Sequence, residues 1–234
     1  MNKPNSVSVI IAAGGSGERM KGINKLMSMI EGMPVIAHSM RVFEELPEVM
    51  EIIVTAREDE LAEIEKIAHE YGISKFACCT AGGETRQQSV VNGLRKVSRE
   101  TELIAVHDGA RPLVKGEHIR QCIKDAGIFG GAVLGVPVKD TIKEVQDGLI
   151  TDTPDRRRLY IAQTPQIFRK KIYFDGVNFA EEHDLDFTDD CQMAEAVGVR
   201  VAMTPSDYLN IKITTPEDLQ IAELLLTQSK QQNG

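Results

Sequence analysis

No stretch of the chain approaches the roughly 18 consecutive apolar residues that a membrane-spanning helix requires. Residues 1–6 are polar, and the short apolar run that follows ends in glycines instead of a cleavage site, so no secretory signal is expected. Basic residues are also scarce. The 27 Lys and Arg stand against 35 Asp and Glu, a formal net charge of −8. That balance excludes a dedicated nucleic-acid binder, which needs clustered cations to neutralise phosphates. A small anionic ligand needs only a local positive site and stays open. The four cysteines, Cys78, Cys79, Cys122 and Cys191, show no C-x-x-C spacing, so neither a zinc site nor a disulfide framework is expected. Internal repeats and long linkers are missing as well. What is present is 234 residues, 42% of them hydrophobic, which is enough to bury a core. The expectation is a soluble cytoplasmic protein with reduced thiols, folded as one domain over residues 1–234.

Short β-branched runs alternate with longer amphipathic ones. Residues 6–12, 51–56, 75–79, 103–107 and 131–136 read as strands, and 34–45, 59–70, 85–97 and 116–126 as the helices between them. Nearly continuous apolar strands in such alternation predict an α/β fold: a Rossmann-like, mostly parallel sheet with helices on both faces. The rhythm breaks between residues 137 and 168. There Asp147-Gly148 marks a hairpin between 138–145 and 149–151, and Arg156, Arg157 and Arg158 follow it. This segment, about 138–168, reads as an inserted, protruding β-arm and not as a further βαβ unit. Helices are expected again near 169–181, 188–197 and 216–226, strands at 199–203 and 210–213, and a frayed tail from 228.

Directly after the first strand comes Ala12-Ala13-Gly14-Gly15-Ser16-Gly17-Glu18-Arg19-Met20. Glycines here allow a tight turn that brings backbone N–H groups to phosphate oxygens. A dinucleotide fingerprint fails because Met20 stands where the third glycine belongs. A Walker A loop fails because Ile23-Asn24 follows Gly22 in place of Lys-Ser. What remains is a phosphate cradle with two cations nearby, Arg19 and Lys25. The second signal is Val106-His107-Asp108-Gly109-Ala110-Arg111-Pro112, at the carboxyl end of the fourth strand, where ligands sit in open parallel sheets. Alone, Asp108 suits a cap or turn as well as a metal. Beside bound phosphates it suits Mg²⁺, which takes one or two carboxylates plus phosphate oxygens. His107 reads as a packing residue. These parts point to in-line attack on a nucleoside triphosphate with release of pyrophosphate, driven by positioning and electrostatics.

An ordered set of motifs then resembles a known family over nearly the whole chain: AAGGSGERM (12–20), GGETRQQSV (82–90), VHDGARP (106–112), PVKDTIK (137–143), QTPQIF (163–168), TDD (188–190) and NIKITTPEDL (210–219). The resemblance is to the 2-C-methyl-D-erythritol 4-phosphate cytidylyltransferases of the non-mevalonate isoprenoid pathway. It implies transfer of a cytidylyl group from CTP to that polyol phosphate, with Mg²⁺ or another divalent cation, in a homodimer whose arms interlock. It further implies that Arg19 and Lys25 stabilise the reacting phosphorus and that Asp108 holds the metal. Ala12, Ala13, Gly14, Gly15, Gly83 and Ser89, with Asp108, would hold the nucleotide. Lys212 and Arg156 would position the acceptor, with Thr141, Thr164 and Arg111 around it; Arg156 and Thr141 would come from the neighbouring subunit.

Plainer roles stand beside these. The three arginines suit an exposed charged turn, and Lys212 a solvent-facing position in an alternating strand. Thr188-Asp189-Asp190 suits a helix N-cap, and Ser89 a polar position on an amphipathic helix. A ribitol-5-phosphate cytidylyltransferase would share the mechanism. A dinucleotide-binding oxidoreductase or a nucleotide-binding regulatory module would share only the opening strand–glycine–helix.

Overall fold

The computed structural model describes residues 6–15 and 24–233, with side chains through residue 228. In chain order the elements are β1 (Val7–Ala12), β2 (Met29–Ile30), β3 (Met33–Pro34), α1 (Val35–Glu44), β4 (Val49–Ala56), α2 (Leu61–Glu70), β5 (Phe76–Ala81), α3 (Arg86–Leu94), β6 (Leu103–Asp108) and α4 (Gly116–Phe129). There follow β7 (Gly131–Pro137), β8 (Glu144–Gln146), β9 (Leu149–Asp152), β10 (Tyr160–Arg169), α5 (Lys170–Glu182), α6 (Asp190–Ala196), β11 (Ala202–Pro205) and α7 (Pro216–Asn233). Seven strands form one sheet in the order β11-β7-β10-β6-β1-β4-β5. All neighbours pair in parallel except β10, which runs antiparallel to both β6 and β7.

The period-two alternation of a strand decides which helices each residue meets. In β1, Val7, Val9 and Ile11 join the core beneath α1, α2 and α4, whereas Ile10 joins the core beneath α3, α5 and α6. The same split separates Leu103 and Ala105 from Ile104 and Val106 in β6, and Ile167 from Phe168 in β10. These strands therefore bury apolar residues on both faces, as the continuous hydrophobic runs of β1 and β6 predict. No helix among the described residues is long and apolar enough to cross a membrane.

Two sequence expectations are corrected. The stretch 210–213 is not a strand; its backbone is irregular, held where Ile213 N–H donates to Ala110 O at 2.8 Å. Conversely, residues 160–168, assigned to the arm, form most of a ten-residue strand in the middle of the sheet. Polar Gln163, Thr164 and Gln166 hid it, because a central strand was expected to be apolar. These side chains are nonetheless buried, and each is hydrogen-bonded within the sheet's ligand end or to a neighbouring helix. A short β2–β3 hairpin was also missed; it turns through Glu31 and Gly32, both at positive φ. The last helix continues through the region expected to fray.

The arm is smaller than expected. Strands β8 and β9 pair as a separate two-stranded sheet, with Asp147 (φ 50°) and Gly148 (φ 79°) at the turn that Asp-Gly predicts. Every residue of both strands is exposed.

Candidate active site

Strand β1 lies between β4 and β6, so successive connections leave it in opposite directions, and a crevice opens at the carboxyl ends of β1 and β6. The register sets what meets there. Ala12, the last residue of β1, is the direct partner of Asp108, the last of β6. The glycine turn thus starts beside the carboxylate, although the two are far apart in sequence. The resulting cleft has a volume of about 290 Å³.

Nine of the residues singled out from the sequence line this one cleft. They are Ala12, Ala13, Gly14, Gly15 and Lys25 from the glycine segment and the residues after it, Gly83 and Ser89 from the bend into α3, and Asp108 and Lys212. Ser89 is buried; its hydroxyl accepts from Gly83 N–H at 3.0 Å and donates to Thr85 O at 2.9 Å, which fixes the bend into α3. Thr85 caps α3 by accepting from Gln88 N–H, and the helix start borders the cleft.

The other assignments fall elsewhere. Arg19 lies outside the described residues. Arg111 and Thr164 stand behind Asp108 and not on the cleft wall. Thr141 and Arg156 are on the exposed arm, where Arg156 Nη1 donates to Lys139 O at 2.8 Å. Of the neighbouring arginines, Arg157 pairs with Asp155 at 2.7 Å, as an exposed charged turn would. Lys212 is not the solvent-facing residue of a strand. Its Nζ sits 2.9 Å from Asp108 Oδ2, because buried Asn210 and Ile213 on either side pin the irregular segment against the sheet end.

Asp108 is the electrostatic centre. Lys212 lies 2.9 Å and Arg111 Nε 3.4 Å from Oδ2, and Arg86 Nε 3.6 Å from Oδ1. Burial alone would raise this carboxyl's pKa, but Lys212, Arg86 and Arg111 prevail and hold it well below the usual carboxylate range. It is therefore an anion at neutral pH. Its Oδ1 accepts no hydrogen bond among the described residues. One carboxylate oxygen facing a phosphate cradle fits a divalent cation that takes most of its ligands from phosphate and water.

Arg86 was missed, although it stands in the GGETRQQSV motif. The usable signal was a cation in the first turn of a helix beginning at the cleft. Its closest partner is Asp190 Oδ2, at 2.7 Å. The TDD motif accordingly divides its work: Asp189 caps α6, as expected, and fully buried Asp190 takes the arginine.

Behind Asp108 a polar chain fixes the strand end. His107 is fully buried, and burial pushes its imidazole down to about 4. The neutral ring donates from Nε2 to Arg111 O and accepts at Nδ1 from the Thr164 hydroxyl, each at 3.1 Å. The Thr164 oxygen in turn accepts from Asp108 N–H at 3.0 Å. His107 is thus a packing residue, and the Thr164 hydroxyl serves the scaffold. Its burial gives stability a pH dependence of definite sign. Between pH 6.5 and 4 the unfolded imidazole binds a proton and the folded one does not, so stability falls with pH, by about 1.4 kcal/mol per unit and about 3 kcal/mol over the window. The depressed Asp108 carboxyl contributes stability that is lost only below this range, under its unfolded value of about 3.9. Urea unfolding at pH 7 and 4.5 measures the loss; a His107→Asn chain that keeps the same slope would assign it to other groups.

Fold and cleft together define the class: an α/β protein with a cleft at the switch point of its sheet, lined by a glycine segment and an ionised carboxylate among cations. Residues 7–228 match the family 2-C-methyl-D-erythritol 4-phosphate cytidylyltransferase. Proteins of that name from Caldanaerobacter subterraneus subsp. tengcongensis and Bacillus licheniformis are 44% and 43% identical to this chain. Each alignment covers 95% of the chain, with 99% of the first protein and 96% of the second. The crystal structure of 4-diphosphocytidyl-2C-methyl-D-erythritol synthase from Anaerococcus prevotii is similar with a TM-score of 0.85 at 29% identity, over 96% of this chain and 97% of that one. That of the cytidylyltransferase from Thermus thermophilus gives 0.76 at 27% identity, over 94% and 98%. The chain belongs to the 2-C-methyl-D-erythritol 4-phosphate cytidylyltransferase family and is a cytidylyltransferase enzyme.

Proposed function

We propose that this chain transfers the cytidylyl group of CTP to 2-C-methyl-D-erythritol 4-phosphate, giving 4-diphosphocytidyl-2-C-methyl-D-erythritol and pyrophosphate. The observation that carries the reading is the pairing of Asp108 with Lys212 in the cleft, beside the start of the glycine turn. The backbone of 12–15, Gly83 and Ser89 cradle the nucleotide. An acceptor phosphate oxygen attacks the α-phosphorus, the bond to the β-phosphate breaks, and the electron pair leaves with pyrophosphate. Lys25 and Lys212, with Arg19 from the sequence reading, stabilise the negative charge that builds on the phosphorus oxygens. Asp108 would hold a divalent cation, Mg²⁺ for preference, which supplies charge neutralisation and orientation of the phosphates. Arg111 holds the Asp108 carboxylate from behind, and Thr164 fixes its backbone.

In this reading the chain is a single nucleotidyltransferase domain with the arm inserted, acts in the cytoplasm and has no nucleic-acid partner. It works as a homodimer through the arm. Val145, Leu149 and Ile150 leave an apolar surface of 59%, 72% and 64% exposure on a hairpin too small to bury it alone, which supports a second copy as its cover. Arg156 and Thr141 of one subunit would then complete the acceptor pocket of the other.

Two assays test this. Pyrophosphate release from CTP is compared with methylerythritol phosphate and ribitol 5-phosphate as acceptors; preference for ribitol phosphate would overturn the substrate assignment. Chains carrying Arg156→Ala and Lys212→Ala, each inactive alone, are then mixed. A shared site predicts recovery towards about a quarter of wild-type activity, since half the dimers are mixed and each of these holds one intact site. No recovery in mixed dimers contradicts sharing.

A further inference from the structure

Behind the cleft lies a set of contacts that the reaction does not use directly. Asp190 is fully buried: its Oδ2 accepts from Arg86 Nη2 at 2.7 Å, and its Oδ1 accepts from the Tyr173 hydroxyl. Tyr173 is only 1% exposed and packs against Phe168, ring centroids 5.5 Å apart. The start of α6 is tied down as well, since Gln166 Oε1 accepts from the N–H groups of Asp190 and Cys191 at 3.0 and 3.1 Å. The Asp190 carboxylate therefore has a fixed place and direction.

Arg86 stands between two carboxylates and is shared unequally. It is hydrogen-bonded to Asp190, while its Nε stays 3.6 Å from Asp108 Oδ1, beyond good hydrogen-bond range. The difference matters because Asp108 Oδ2 is already engaged by Lys212 and Arg111. A movement of roughly 1 Å or less would let the guanidinium close on Oδ1, and a charge-assisted bond there would be strong. We propose that Asp190, braced by Tyr173 and Gln166, is a positioning residue that holds Arg86 away from Asp108 Oδ1 and keeps that oxygen open to the nucleotide-bound cation. The inference rests on the reading of Asp108 as the cation's ligand. Asp190 does not itself touch substrate; it acts through Arg86.

The test is the Mg²⁺ concentration that gives half of the metal-dependent gain in CTP affinity, measured by calorimetry on the full-length protein, with metal-free CTP binding as the baseline. In Asp190→Asn, Asp108 is the one carboxylate left to Arg86 among the described residues, and the half-point rises about tenfold. In the double variant Arg86→Gln, Asp190→Asn the competing cation is gone, and the half-point returns to within about threefold of wild type. A purely structural pair would lower the melting temperature without moving the half-point, so an Asp190→Asn half-point within about twofold of wild type overturns the inference. Should that variant not fold, Tyr173→Phe frees one side of Asp190 and is expected to raise the half-point about threefold; no movement there has the same force. Wild-type CTP binding that ignores Mg²⁺ would instead remove the metal reading of Asp108, and the inference with it.

Discussion

Asp108→Asn is expected to lower the turnover number for pyrophosphate release by about 10²–10³, the range seen when a single charge-stabilising group is removed from an active site. The substitution keeps the side chain's shape and takes away its charge. The anion at the end of β6 is the common partner of Lys212, Arg86 and Arg111, so its removal leaves three neighbouring cations with much of their compensation gone. Two consequences separate in measurement. The cationic cleft should still attract the nucleotide's phosphates, so CTP binding without metal holds or tightens. The advantage that Mg²⁺ gives to binding and turnover should vanish. Breaking a partly exposed cluster also lowers stability, by less than the roughly 3–5 kcal/mol typical of a fully buried pair. Steady-state assays, calorimetry with and without Mg²⁺, and thermal unfolding read the three effects; unchanged turnover in a folded variant would remove Asp108 from the chemistry.

Gly176→Ala should cause a large loss of stability from a single methyl group. A Cβ at this point of α5 would lie 2.7 Å from the Met193 carbonyl oxygen and 2.9 Å from its Cβ. The obstacle is the backbone of α6 and cannot rotate aside, so the two helices must separate. Overpacking of this kind costs about 3 kcal/mol, the upper part of its usual range. For a chain of this size that lowers the melting temperature by about 6–12 °C. The same displacement draws Asp190 away from Arg86, so the variant should also need more Mg²⁺ at temperatures where it is folded. A melting temperature within about 2 °C of wild type would mean that the helices have slack the packing does not show.

The parallel core was legible because its residues obey local rules. Short β-branched runs alternate with helical periodicity, and both report burial directly. Asp147-Gly148 announced its hairpin by the same kind of local chemistry. The glycine turn and Asp108 were legible as parts, but their adjacency was not: it comes from the parallel register that pairs Ala12 with Asp108 across the sheet. Strand β10 escaped because its glutamines and threonine are polar, and only tertiary contacts reveal that Thr164 serves His107 and Asp108 while Gln166 caps α6. Arg86 and Asp190 escaped for a related reason. Asp190 read as a helix-start charge and Arg86 carried no assignment, because only the fold brings these two distant residues to 2.7 Å.

The antiparallel run of β10 has one more outcome. The chain leaves the sheet at Pro137 and re-enters at Tyr160, and these two residues face each other as direct partners. Whatever lies between them hangs from a closed doorway, so lengthening or trimming residues 138–159 shifts no register elsewhere. In the proposed reading Arg156 and Thr141 lie on that excursion, so changes there can reshape the acceptor pocket without disturbing the strands beside the cleft.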